Sequence, residues 1–233
     1  MGRLISSWNK LGDSICFGPV ASFAASGLLT SIGALILRNV RKKRELLFAV
    51  FPALFALQQF IEGLLWLLLK AEKSQALVHA LTLTYLFFAY TLWPIICPLS
   101  VYAIEYKPKR KQMLRILMAL GLLTGSYLLF FILKNSAHAS VLHCSIRYET
   151  HLAGPRWFTF IYLAVIILPY FVSSHRAILI FGIPNLLLCL VAYFFYNTAF
   201  ISVWCFFAAV VSMSLYFFLR RLHHQPMLGI SAP

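Results

Sequence analysis

A chain of 233 residues that is 61% hydrophobic and only 11% charged lacks the composition of a soluble domain, in which about a quarter of residues are charged. Its net charge of +14 would suit nucleic acid, but the cations sit mostly in two short loops between apolar runs, a placement that argues for no nucleic-acid partner. The five cysteines, at 16, 97, 144, 189 and 205, have no CxxC or zinc-finger spacing.

Residues 1–15 (MGRLISSWNKLGDSI) are mixed and polar, without the apolar segment of a cleavable signal peptide, and are expected to form an outer tail. Seven apolar stretches follow, at 16–37, 46–69, 77–103, 116–133, 157–173, 178–195 and 200–218. About twenty such residues carry a helix across a bilayer core of roughly 30 Å. The expected fold is therefore all-α, a single membrane bundle of seven helices over 16–218, because lipid leaves backbone groups no partner outside a helix.

The first stretch has small residues at four-residue spacing (Ala21 and Ala25, Ser22 and Ser26), which suits close helix contact. The loop after it holds Arg38, Arg41, Lys42, Lys43 and Arg44. The loop after the third stretch holds Lys107, Lys109, Arg110 and Lys111. With Arg115, Arg176, Arg220 and Arg221, 13 of the 20 Lys and Arg fall on one side. The positive-inside rule makes that side cytoplasmic, with the N-terminus outside and 219–233 a cytoplasmic tail. These cations also suit contact with anionic membrane lipid.

In the second stretch Gln58, Gln59, Glu62 and Trp66 share one helix face, and Glu62 is the one acidic residue well inside any stretch. An ionisable group at such depth is a candidate functional residue, or else part of a structural clasp between helices. The break at 70–76 is short, so the third stretch runs back beside the second and brings Thr84 or Tyr85 level with Glu62. The third stretch presents His79, Thr82, Leu86, Tyr90, Trp93 and Cys97 at helical spacing, and Pro94 and Pro98 mark bends. Gly121 and Gly125 form a GxxxG in the fourth, read as packing within the chain, with a homo-oligomer contact as the alternative.

Residues 134–156 make the one long outer loop. Within it SVLHCSIRYETH alternates weakly and is a candidate hairpin lid. Here His143 and His151, with His79, are candidate metal ligands, although their spacing matches no strong zinc pattern. Cys16 and Cys144, both on the outer side, are a candidate disulfide. The turn Ser173-Ser174-His175-Arg176 has no GxSxG elbow, and P-loop and HExxH patterns are absent from the sequence. The last stretch has no lysine for a retinal Schiff base, and the single aspartate, Asp13, lies outside the stretches.

The segments CFGPVASF (16–23), RELLFAVFPALFALQQFIEGLLW (44–66), LWP (92–94), SSHRAILIFG (173–182) and FISVWCFFAA (200–209) resemble a family of small uncharacterised bacterial membrane proteins. Its members open with a Cys-Phe-Ser-x-x-Ala-Ser-Phe signature, in which this chain has Gly18 at the serine. The resemblance implies a bacterial cytoplasmic membrane and marks Cys16, Glu62, His175, Trp204 and Cys205 as shared positions, without implying a reaction.

The expected function is binding or transport of a small polar, cationic or amphipathic molecule in an outward-facing pocket lined by Gln58, Gln59, Glu62, Trp66, Tyr85 and Trp204. No cofactor is expected. The alternatives are an intramembrane enzyme using Glu62 with histidines and a metal, and a structural or assembly subunit.

Overall fold

The computed structural model describes residues 18–217 apart from 73, 136, 143–144 and 151–155. Cys16, His143, Cys144 and His151, and both tails, lie outside the described residues. Helix α1 (Pro19–Arg38) is followed by a short helical turn (Lys43–Glu45), α2 (Leu46–Ala49) and α3 (Phe51–Lys70). Then come α4 (Gln75–Leu86), a π-helical turn (Phe87–Leu92), α5 (Trp93–Ile104) and α6 (Pro108–Lys134). A hairpin of β1 (His138–Leu142) and β2 (Ser145–Glu149) leads to α7 (Arg156–Val172), α8 (Arg176–Phe195), a 3₁₀ turn (Asn197–Ala199) and α9 (Phe200–Ser212).

Among the described residues six rods are long and apolar enough to cross a membrane: Pro19–Arg38, Lys43–Lys70, Gln75–Ile104, Pro108–Lys134, Arg176–Phe195 and Asn197–Phe217. Helix α7 is apolar but shorter, with 17 residues, about 26 Å at 1.5 Å each, at the lower limit of a crossing helix. The fold is helical apart from the outer loop, where the candidate hairpin of the sequence pairs as β1 and β2, antiparallel. Pro108 explains why α6 starts eight residues before its apolar stretch: at the first turn its fixed φ suits the helix and its missing N–H costs nothing.

Small residues set the closest helix contacts. Ser22, Ala25, Ser26, Leu29, Gly33 and Ile36 form the buried face of α1, laid on α3. Ser26 Oγ donates to the Ala56 carbonyl at 2.8 Å, and the Gly33 side faces the Ala53 backbone. Gly121 and Gly125 of α6 face Pro94 and Thr91 of the same chain. Pro94 has no N–H to return to the turn before it, and the ladder there widens to a π-turn. Tyr162 of α7 donates its hydroxyl to the Ala89 carbonyl in that turn at 2.7 Å.

The loops at the cation-rich end are tied together. Glu105 accepts backbone N–H groups from Tyr106 (2.9 Å), Lys107 (3.0 Å) and Ser174 (2.6 Å). Arg110 donates to the carbonyls of Val172 and Ser173, and the His175 ring nitrogen lies 3.0 Å from the Ile104 carbonyl. The Ser173–Arg176 turn is thus a clasped corner. Arg38, Arg41, Lys42, Lys43, Arg44, Lys107 and Lys109 are exposed, while Arg110 and Lys111 are half-buried.

Burial alone would raise the Glu105 carboxyl, but the N–H groups aimed at it outweigh that and hold it below its ordinary 4.5. A depressed folded value stabilises fully above pH 4.5, and that contribution is lost as pH falls through the folded value. The expected result is a thermal unfolding temperature that drops on acidification below pH 4.5 more steeply in the wild type than in Glu105→Gln. Parallel curves would mean that the clasp does not titrate.

Candidate functional site

Helix α3 carries the polar stripe because Gln58, Gln59, Glu62 and Trp66 recur at three- and four-residue intervals. The structure turns this face inward: Gln58 and Gln59 are fully buried, and Glu62 and Trp66 are 2% exposed. Ser202 of α9 donates to Glu62 Oε1 at 2.5 Å, and Gln59 Nε2 donates to Oε2 at 3.3 Å. Gln58 Oε1 accepts from Trp93 Nε1 at 2.9 Å, and the Trp93 ring stacks on Phe55 with centroids 4.0 Å apart.

Two phenols close the cluster from above. Tyr85 of α4 and Tyr148 of β2 stack at 4.7 Å with planes 7° apart. Their hydroxyls come up to the Glu62 carboxyl without completing a hydrogen bond of good geometry. Tyr85 is fully buried and Tyr148 8% exposed. Burial first, and the nearby Glu62 carboxyl second, push the Tyr148 phenol well above its usual value, so it stays a neutral donor at ordinary pH.

The hairpin delivers Tyr148 by strand alternation. Ile146 and Tyr148 point inward, while Arg147 faces out and pairs with Glu149 at 3.3 Å. Strand β2 packs on α9 and the 3₁₀ turn, and β1 packs on α3 and α4, so the hairpin sits over the bundle end opposite the cation-rich loops.

Beside this cluster is an open cavity of about 240 Å³. Its walls include Tyr90, Tyr127, Tyr148, Phe158, Tyr162 and Phe200, and its polar rim is Thr159, Asn197 and Thr198. Thr159, Asn197 and Thr198 are exposed, so the cavity reaches the surface at the hairpin end. A second, smaller space of about 30 Å³ lies against Trp93, Tyr162, Tyr170, Asn185 and Trp204.

Of the six expected pocket residues, Gln58, Gln59, Glu62 and Tyr85 form one closed polar core and line neither space, because Tyr148 fills the gap between core and cavity. Trp66 is buried with Lys70 Nζ 5.3 Å over its ring. Trp204 stacks on Phe200, a wall of the open cavity, at 5.4 Å, and itself borders only the smaller space. The indole N–H groups of Trp66 and Trp204 are buried without an acceptor.

His79 is exposed on α4, and among the described residues no three His, Cys, Asp or Glu side chains converge as a metal-binding group. Cys97, Cys189 and Cys205 are buried free thiols. Ser202 and Tyr148 were not anticipated from the sequence. The signal for Tyr148 was present in the alternation of SIRYE, but nothing marked Ser202 among the other small residues of the last stretch.

No curated protein and no solved structure matches the chain. Residues 15–228 match the family of unknown function DUF6629, and the chain belongs to that family.

Proposed function

We propose that this is a membrane-embedded binding or transport protein whose ligand occupies the 240 Å³ aromatic cavity, with Glu62 behind it as counter-charge or proton carrier. The observation that carries this reading is the double role of Tyr148, whose residue both walls the cavity and abuts the buried carboxyl. A shift of the hairpin that withdrew this one ring would join the two. The cavity is slightly below the usual 300–1,000 Å³ of small-molecule sites, so the ligand is small.

Helix α7 packs between α5, α6 and α8, which supports a seventh crossing despite its length. With seven crossings the cation-rich end is cytoplasmic, the hairpin and cavity face outward, and the basic loops touch anionic lipid.

Thr159 is exposed on the rim, so Thr159→Trp fills the mouth without disturbing the core. In native mass spectrometry of protein extracted from its membrane, the wild type is expected to carry a small-molecule adduct that Thr159→Trp loses at unchanged melting temperature. Equal adduct occupancy in both proteins would place the ligand elsewhere.

A further inference from the structure

Resting on the reading of the cavity as a ligand site, we infer that its occupant is a small organic monocation of the quaternary-ammonium class. Six aromatic rings, of Tyr90, Tyr127, Tyr148, Phe158, Tyr162 and Phe200, wall the space. They are held by ring contacts of their own: Tyr90 lies edge-on to Tyr162 at 6.0 Å, and Tyr127 tilts against Phe158 at 5.0 Å. Ring faces carry negative potential and attract a cation that sheds its water easily.

Other ligand classes fit less well. An anion would need a basic side chain or a cluster of N–H donors, and among the described residues no Lys or Arg lines the cavity. A sugar would need many converging hydrogen-bond groups. Yet the Tyr162 hydroxyl is spent on the Ala89 carbonyl and the Tyr148 hydroxyl is turned to Glu62. That leaves the Tyr90 and Tyr127 hydroxyls on the wall and Thr159, Asn197 and Thr198 on the rim, few for the many hydroxyls of a sugar. A metal ion would need several oxygen or nitrogen ligands, which rings do not supply.

The charge balance agrees. Glu62 is the one acidic residue well inside the apolar stretches, and it stands one ring behind the cavity wall. A cation in the cavity would therefore favour the ionised form of the carboxyl across Tyr148, in surroundings that screen the attraction far less than water does. Tyr148 acts as a polarisable spacer: its hydroxyl lies against the carboxyl while its ring borders the ligand.

Binding of choline to the purified protein, compared by calorimetry with its uncharged isostere 3,3-dimethylbutan-1-ol, tests the inference. The two differ in charge and hardly in shape. Choline is expected to bind about tenfold tighter or more, the range that cation–π contacts allow. Tyr127, part-exposed, offers a fold-safe ring to remove. Tyr127→Leu should weaken choline about fivefold and Tyr127→Phe should leave it nearly unchanged, because the ring and not the hydroxyl is what counts. Glu62→Gln should weaken choline and leave the alcohol alone. Equal affinity for the two compounds, or binding of the alcohol only, overturns the cation and leaves the cavity as a site. Binding of neither overturns the cation as well, and the Thr159→Trp adduct experiment then decides the cavity separately.

Discussion

Gly121→Ala is expected to be the most damaging single-methyl change in the bundle. A Cβ built on Gly121 would lie 2.1 Å from the Pro94 carbonyl oxygen and 3.0 Å from Val165 Cγ1. The first neighbour is backbone inside α5 and cannot turn aside as a side chain can. Relief requires α6 to move off α5 and so loosens the contacts of Pro94, of the π-turn and of α7 behind it. Overpacking usually costs about 1–3 kcal/mol, and a clash with fixed backbone belongs at or above the top of that range. Gly125→Ala meets the Thr91 carbonyl at 3.1 Å, where a few tenths of an ångström suffice, so it should cost about 1 kcal/mol. Gly27 has nothing within 4 Å of its would-be Cβ, and Gly27→Ala should be neutral or slightly stabilising through helix propensity. Unfolding in detergent should rank the three in that order. A Gly121→Ala protein as stable as wild type would mean that α6 does not sit on Pro94.

The helices were legible because lipid permits little else: a run of twenty apolar residues between charged breaks has one stable form. Short breaks likewise paired neighbours, with α3 beside α4 and α8 beside α9. The inward stripe of Gln58, Gln59, Glu62 and Trp66 could be read from spacing alone, and so could Tyr85, by reflection through the 70–76 turn. Thr84, the other residue at that level, is exposed and bonds its own Ala80 carbonyl. What spacing could not reveal is contact between distant segments. Ser202 meets Glu62 across 140 residues, and Tyr148 reaches it only because a weakly alternating loop pairs as a hairpin. That one inserted ring moves the open space away from the carboxyl, so the expected cavity was misplaced by about one side chain. Helix α7 has the 17 residues of its apolar stretch, set back by one: it ends at Val172, where Arg110 takes the Val172 carbonyl and Glu105 the Ser174 N–H.

Glu62→Ala is expected to destabilise the bundle by about 3–5 kcal/mol, whereas Glu62→Gln should cost about 1 kcal/mol or less. Alanine leaves the Ser202 hydroxyl and the Gln59 amide without their acceptor in a core that water does not reach, and it opens a void under Tyr85 and Tyr148. Glutamine keeps the volume and keeps one oxygen for Ser202. Its NH₂ would face that of Gln59, but the Gln59 Oε1 has no partner in the native core. Rotation of the Gln59 amide by half a turn would let Oε1 accept the new N–H, converting a clash of donors into a bond. Ser202→Ala alone should cost about 1–2 kcal/mol, since it removes a donor from a buried carboxyl. In a double-mutant cycle Glu62→Gln and Ser202→Ala should couple, because both act on one hydrogen bond. The decisive comparison is between stability and ligand affinity in Glu62→Gln. A protein that melts with the wild type yet binds poorly uses the carboxyl for its charge. One that melts far earlier uses it as a clasp between α3 and α9, and the cavity must then work without it.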